Sequence, residues 1–201
     1  MGETIPTADQ VLVGRAQQGD REAFTQLVMQ YQVPLYNMAL RMVGRPDDAA
    51  DIAQEAFLRA WEKLRSLRQA PFRAWLFQIA VNLCYDHFRR GRRYGSMPDE
   101  ESGGKVVGLG QPPADPEARA EANERARLVR ESIAGLDHHL RVALILRDVN
   151  GMAYEEIARV VKAPLGTVKS RIARARAHVQ ERLLLYPELF GTHQKETSDE
   201  A

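Results

Sequence analysis

The chain has 201 residues, 44% hydrophobic and 27% charged, too apolar for a disordered polymer and long enough for one large domain or two small ones. Its 28 lysines and arginines against 27 aspartates and glutamates leave a net charge of only +1, but the charge is sorted along the chain, and sorting decides which surfaces meet a polyanion. A single cysteine, Cys84, excludes an internal disulfide and points to a reducing, cytoplasmic setting, and no run approaches the ~20 apolar residues of a membrane span, so no membrane insertion is expected.

Residues 9 to 94 carry helical periodicity, with few Gly or Pro and no β-branched alternation. Asp9 stands where it would cap a first helix reaching about Gln18, and Gly19-Asp20 restarts a second toward Val43, with a kink expected at Pro34. Gly44-Arg45-Pro46-Asp47 reads as a stop followed by a cap, opening a third helix to about Leu64; Pro71 fits the first turn of a fourth that runs to about Arg93. From Gly95 to Pro116, nine Gly and Pro residues interrupt any helix, giving a flexible linker within an acidic middle. Periodicity resumes at Glu117 and lasts to about Tyr186, broken near Gly135 to Asp137, at Asn150-Gly151 and from Ala163 to Gly166; the polar tail from Pro187 to Ala201 is expected to be disordered. The predicted fold is all-α: two small helical domains, 9–94 and 117–186, joined by the 95–116 linker, with no internal repeat.

Tyr154-Glu155-Glu156-Ile157-Ala158 and the segment from Leu165 to Arg176 are two short helix patterns around a Pro164 to Gly166 turn, the build of a helix-turn-helix. From Arg159 to Arg182, seven bases stand against the single acid Glu181. Advancing ~100° per residue from Val168, Ile172, Ala175, Val179 and Leu183 fall on one inward stripe. Ser170, Ala173, Arg174 and Ala177 lie opposite, Arg171 on one shoulder and Lys169 and Arg176 on the other. Small side chains flanked by arginines suit a major groove, where Arg forks onto guanine and the shoulder cations hold phosphates. A merely solvated basic face is the plain alternative.

In the third helix, Ile52 and Ala56 point inward while Asp48, Asp51, Gln54 and Glu55 project from another side; acidic residues near a helix start are favourable for the macrodipole alone. The fourth helix sorts Phe72, Leu76, Ile79, Ala80 and Leu83 onto one core stripe and Phe77, Val81 and Phe88 onto a second. It keeps a polar stripe of Gln78, Asn82, Tyr85 and Arg89, with Arg92 and Arg93 beyond. Amides, an aromatic ring and cations together can hydrogen-bond exposed base edges, stack a base and follow phosphates. Asp86, one turn before Arg89 and Arg90, makes part of that charge structural.

These segments resemble the extracytoplasmic-function (ECF) class of bacterial sigma factors. The resemblance rests on Tyr-Glu-Glu-Ile-Ala with Gly166-Thr167-Val168-Lys169-Ser170-Arg171 and Arg174-Ala175-Arg176; on Asp51-x-x-Gln54-Glu55-x-Phe57-Leu58-x-Ala60-Trp61; and on Trp75-Leu76-x-x-Ile79-Ala80-x-Asn82. It implies that Thr167, Lys169, Ser170, Arg171, Ala173, Arg174 and Arg176 read the −35 element. It implies that Asp48, Asp51, Gln54 and Glu55 grip the clamp of the polymerase β′ subunit. By the same resemblance Gln78, Asn82, Tyr85, Arg89, Arg92 and Arg93, with Arg68 and Gln69 of the loop from Leu67 to Ala70, read and hold the −10 strand, one base being flipped out. Further implied partners are the β flap, duplex and single-stranded promoter DNA and an anti-sigma factor; no cofactor or metal is called for. Two departures stand out: Ala153 replaces the usual Ser cap, costing about 1 kcal/mol, and Leu136-Asp137 replaces Leu-Pro.

A stand-alone helix-turn-helix regulator is the competing reading, with residues 1 to 94 sensing or dimerising. An enzyme is disfavoured: Cys84 and His87 lack further ligands at suitable spacing, His138-His139 are adjacent, and no phosphate-cradling loop or nucleophile-base set is present.

Overall fold

The computed structural model describes residues 7–68, 70–94 and 115–191, with residues 91–94 described by backbone alone. Helix α1 (Ala8–Gln17) is capped not by Asp9 but by Thr7, whose hydroxyl accepts from Gln10 N while the Gln10 side chain accepts from Thr7 N at 2.7 Å. Thr-x-x-Gln closes a reciprocal box two residues before the acid. That frees the Asp9 carboxylate to accept from Tyr31 Oη and from Gln30 Nε2 at 3.0 Å, tying α1 to α2 (Arg21–Val43).

Helix α2 has Asp20 as its cap and runs through Pro34 to a left-handed Gly44 at φ 84°. Its large inward residues, Leu27, Leu35, Met38 and Met42, are fully buried. They meet α3 (Pro46–Lys63), whose inward face is small: Ala49, Ala53, Ala56 and Ala60 around Ile52. Alanines at helical spacing let the two axes approach, and the long α2 side chains fill the seam. The stop at Gly44 is as expected, but Arg45 occupies the cap position of α3 without a side-chain bond, Pro46 being the first helical residue.

A 3₁₀ turn (Leu64–Ser66) leads to the loop before α4 (Phe72–Tyr94). Gln17 of α1 donates to the carbonyls of Leu64 and Leu67 at 3.0 and 2.8 Å and fixes the start of that loop. Both predicted core stripes of α4 point inward, with Phe77, Leu76 and Ala80 fully buried; Ile79 and Phe88 are half-buried.

The expected linker from Gly95 lies outside the described residues as far as position 114. Pro116, read as an interruption, is instead the first residue of α5 (Pro116–Ala134), with Asp115 accepting from Glu117 N and Ala118 N; a proline at that position loses no hydrogen bond. Helix α6 (His138–Leu144) is capped by Asp137, as its sequence position implied. It widens into a π-helical turn (Ile145–Val149), closed by Gly151 at φ 64°. Then come α7 (Tyr154–Val161) and α8 (Leu165–Leu183), which bury Ile157, Val160, Val168, Ile172 and Ala175 between them and α6. The turn is Lys162 to Pro164, shorter than expected, so Gly166 belongs to the first turn of α8. Part of the predicted tail is ordered as α9 (Pro187–Phe190), whose Leu189 carbonyl accepts from Arg125 at 3.1 Å; the tail beyond Gly191 lies outside the described residues.

The two helical groups pack on one another. Helix α7 lies against α4, and apolar residues of both groups join in one continuous core.

Candidate nucleic-acid interface

On α8 the inward stripe is buried at Val168, Ile172 and Ala175 and half-buried at Val179 and Leu183, and Lys169, Ser170, Ala173, Arg174, Arg176 and Ala177 are exposed, with Thr167 and Arg171 half-buried. The outward strip is a shallow floor of small side chains between long cations. Arg174 is exposed, and among the described residues its guanidinium has one long bond, 3.4 Å, to the Ser170 carbonyl of its own helix. Arg176 differs. It forks onto Asp148 of the π-helical turn, Nε to Oδ2 at 3.0 Å and Nη2 to Oδ1 at 2.5 Å, and this carboxylate raises its pKa above the ordinary guanidinium value. Nearby, the Arg147 guanidinium sits 4.6 Å from the Tyr154 ring centroid and Lys169 Nζ 5.9 Å from it. Ala153 keeps half of a capping box, its N–H donating to Glu156 Oε2 at 2.9 Å.

The polar stripe of α4 is divided by the packing of α7 and α6. Gln78 Nε2 donates to the Arg159 carbonyl at 2.7 Å, and Tyr85 Oη lies 3.4 Å from His139 Nδ1. Burial pushes the Tyr85 phenol up to about 12, the nearby Arg171 charge pulling the other way, so the ring meets any ligand as a neutral hydroxyl. Asn82 and Arg89 stay exposed. They border an open hollow of about 650 Å³ lined also by Arg59, Tyr85, Asp86, Phe88 and His138. Arg89 is paired with Asp86, as the spacing implied. Arg68 is exposed; Gln69 and the side chains of Arg92 and Arg93 lie outside the described residues.

The acidic face of α3 is exposed at Asp51 and Gln54. Asp48 is engaged by Arg45 at 3.4 Å and His87 at 3.8 Å, and Glu55 by Arg59 at 2.6 Å. Beside this face, between α2 and α3, runs an apolar groove of about 580 Å³ formed by Phe24, Val28, Val33, Tyr36, Phe57 and Leu58 and closed by Trp61. Leu58 is 52% exposed and Val33 43%, which leaves the groove open to solvent beside the acidic face.

Two family models match the chain: Sigma-70 region 2 over residues 27–94 and Sigma-70 region 4 over residues 126–179. The ECF RNA polymerase sigma-E factor of Escherichia coli K12 is 38% identical over 184 residues, 87% of this chain and 94% of that protein. The chain is an ECF-class sigma factor. Solved sigma-factor structures share its fold. CnrH in complex with the cytosolic domain of CnrY matches at TM-score 0.68 and 31% identity over 90% of this chain and 99% of that one. The sigma factor RpoE of Bartonella quintana, in complex with the anti-sigma factor NepR, matches at 0.62 and 27% over 81% and 98%.

A sigma factor is the non-catalytic specificity subunit of RNA polymerase: it binds core polymerase, recognises the −35 and −10 promoter elements and promotes strand opening. The stand-alone regulator is thereby set aside. Among the described residues of this sigma factor, no group of three or more His, Cys, Asp or Glu can hold a metal ion, and no helix is long and apolar enough to cross a membrane. Sequence reasoning missed two features of it. The apolar groove was legible in part, since Leu58 and Trp61 sit three apart beside the acidic positions. The side chains that join α4 to α6 and α7 were not, because a histidine pair and an Asn-Gly turn carry no mark of a long-range partner.

Proposed function

We propose that the labour of the sigma factor divides between a domain of residues 9–94 and one of residues 117–186. The exposed strip of α8, with Lys169, Ser170, Ala173 and Arg174 at its centre and Thr167 and Arg171 at its edge, takes the −35 duplex. Arg176, held by Asp148, contributes mainly by fixing the angle of α8 on the π-helical turn. The observation that carries this reading is the sorting of α8: Val168, Ile172 and Ala175 are buried and Val179 and Leu183 half-buried along the inward spacing, while small side chains and cations occupy the outer strip.

The open hollow beside Asn82 and Arg89 takes an unpaired base of the −10 strand, with Arg68, Gln69, Gln78, Tyr85, Arg92 and Arg93 as neighbouring contacts. Unstacking a base costs a few kcal/mol, which stacking on Tyr85 and hydrogen bonds to Asn82 offset. Core polymerase docks on the acidic face of Asp48, Asp51, Gln54 and Glu55 together with the adjoining groove at Val33, Leu58 and Trp61. The β flap is the further core contact. An anti-sigma factor is a partner by analogy with the solved relatives, and the chain works in the cytoplasm.

Promoter-dependent transcription with core polymerase, read together with permanganate footprinting, tests the assignment. Asn82→Ala is expected to reduce permanganate reactivity at −10 by about tenfold while leaving duplex gel shifts near the starting value, the energy of one base-reading interaction being ~1–3 kcal/mol. Equal reduction in both assays would remove Asn82 from the melted strand.

A further inference from the structure

We infer that the C-terminal helices are a resident competitor of the −10 strand: this chain closes on itself and masks part of its single-strand surface without any partner. The inference rests on the assignment of the α4 stripe to DNA, and its test separates the two.

Two of the four described stripe residues are occupied from within the chain. Gln78 spends its amide on the Arg159 carbonyl of α7, and Tyr85 meets His139 of α6, their ring centroids 5.6 Å apart. Beside them the His138 ring stacks on Phe88 at 3.9 Å and 10°. An amide bonded to a backbone carbonyl and a tyrosine covered by imidazole cannot at the same time serve a base. Strand binding and closure therefore exclude one another.

What holds the closure lies off the DNA faces. Arg73 of α4 donates to the Asn150 carbonyl, and Asn150 Nδ2 donates to the Pro34 carbonyl of α2 at 3.2 Å, so the turn before α7 is clasped between two N-terminal helices. Arg141 of α6 reaches further: it donates to the Met42 carbonyl at the end of α2 at 2.8 Å, and also to the carbonyls of Ala134 and Leu136 at the end of α5. One cation thus caps two helix C-termini from different halves of the chain, where backbone carbonyls lack intrahelical partners and the dipole is negative. These bonds join half-buried groups, so opening hands each donor and acceptor to water, and the main cost of opening is the apolar surface that the two helical groups share in one core. A ligand that opens the chain has to offset that burial.

The test uses the full chain without polymerase. Arg73→Ala with Asn150→Ala removes the clasp and touches neither the α8 strip nor the α4 stripe; Asn150→Ala alone is the milder version. Small-angle scattering reads the radius of gyration, and anisotropy reads binding of a dye-labelled single-stranded DNA covering the −10 segment mapped by permanganate. The variants are expected to expand and to bind this strand about three- to tenfold tighter, the gain available when the competent fraction rises from roughly a tenth toward one. Expansion without tighter binding would overturn the competition, and unchanged dimensions would overturn the clasp. Asn82→Ala is the control for the underlying reading: it joins no interdomain bond among the described residues, so weaker strand binding with dimensions unchanged upholds the α4 assignment whatever the clasp variants do.

Discussion

Arg174 and Arg176 are the same residue two positions apart and both exposed, yet only Arg176 is held by a carboxylate. Helical spacing put both on the outer side of α8, and it could not reveal Asp148, which lies 28 residues back and engages Arg176 with both oxygens. Arg171→Ala and Arg174→Ala are accordingly expected to weaken −35 duplex binding by ~1–3 kcal/mol for each guanidinium that reads a base, measured by gel shift on matched and mismatched sites. Arg176→Ala is expected to lower thermal stability more than affinity, and the reverse order would restore it to the reading face. Cys84 is fully buried and its thiol is pushed up to about 12 by desolvation. Since the thiolate is the reactive form, an alkylating reagent at neutral pH is expected to modify it only after unfolding; rapid labelling of the native chain would contradict its burial. The missing cap at Ala153 was legible from the sequence alone. Ala153→Ser is expected to add about 1 kcal/mol by supplying the acceptor that α7 lacks, read by denaturant unfolding.

At the scale of the element, most of the helices were legible because local rules set them: alanines at helical spacing in α3, Asp20 and Asp137 as caps, Gly44 and Gly151 where φ turns positive. Errors fell where two residues competed for one role. Thr7 with Gln10 outcompetes Asp9 because it closes two bonds rather than one, and Pro116 begins a helix because Asp115 precedes it. The π-helical turn had no local signal; it follows from how α6 must seat Ile145 and Leu146 in the core while turning Asp148 toward α8. Lys162 closes α7 at φ 50°, a left-handed conformation that glycine adopts freely. Lys162→Gly is expected to stabilise the fold by about 1 kcal/mol through relief of that conformation. On α3, Asp51→Lys with Glu55→Lys, and separately Trp61→Ala, are expected to reduce core polymerase association at least tenfold in pull-down titrations, a weakening of ~1.4 kcal/mol or more. An undiminished association would return both surfaces to ordinary solvent-facing chain.

At the scale of the whole molecule, the sequence predicted two helical groups but not that they embrace. Each interdomain bond joins residues far apart in the chain, from Arg141 on Met42 to Gln78 on Arg159, and no periodicity or motif encodes such a partner. The polar stripe of α4 was legible as a stripe of amide, aromatic and cationic side chains; its partial occupation by α6 and α7 was not. In the proposed division of labour both halves engage the promoter, and transcription starts at a defined place. The most direct measurement is promoter-dependent transcription by purified core polymerase with and without this chain, start sites being mapped at nucleotide resolution. Defined starts that require the chain, and that shift in strength with Arg174→Ala and Asn82→Ala, are the predicted result; starts that are indifferent to its presence would contradict the whole reading.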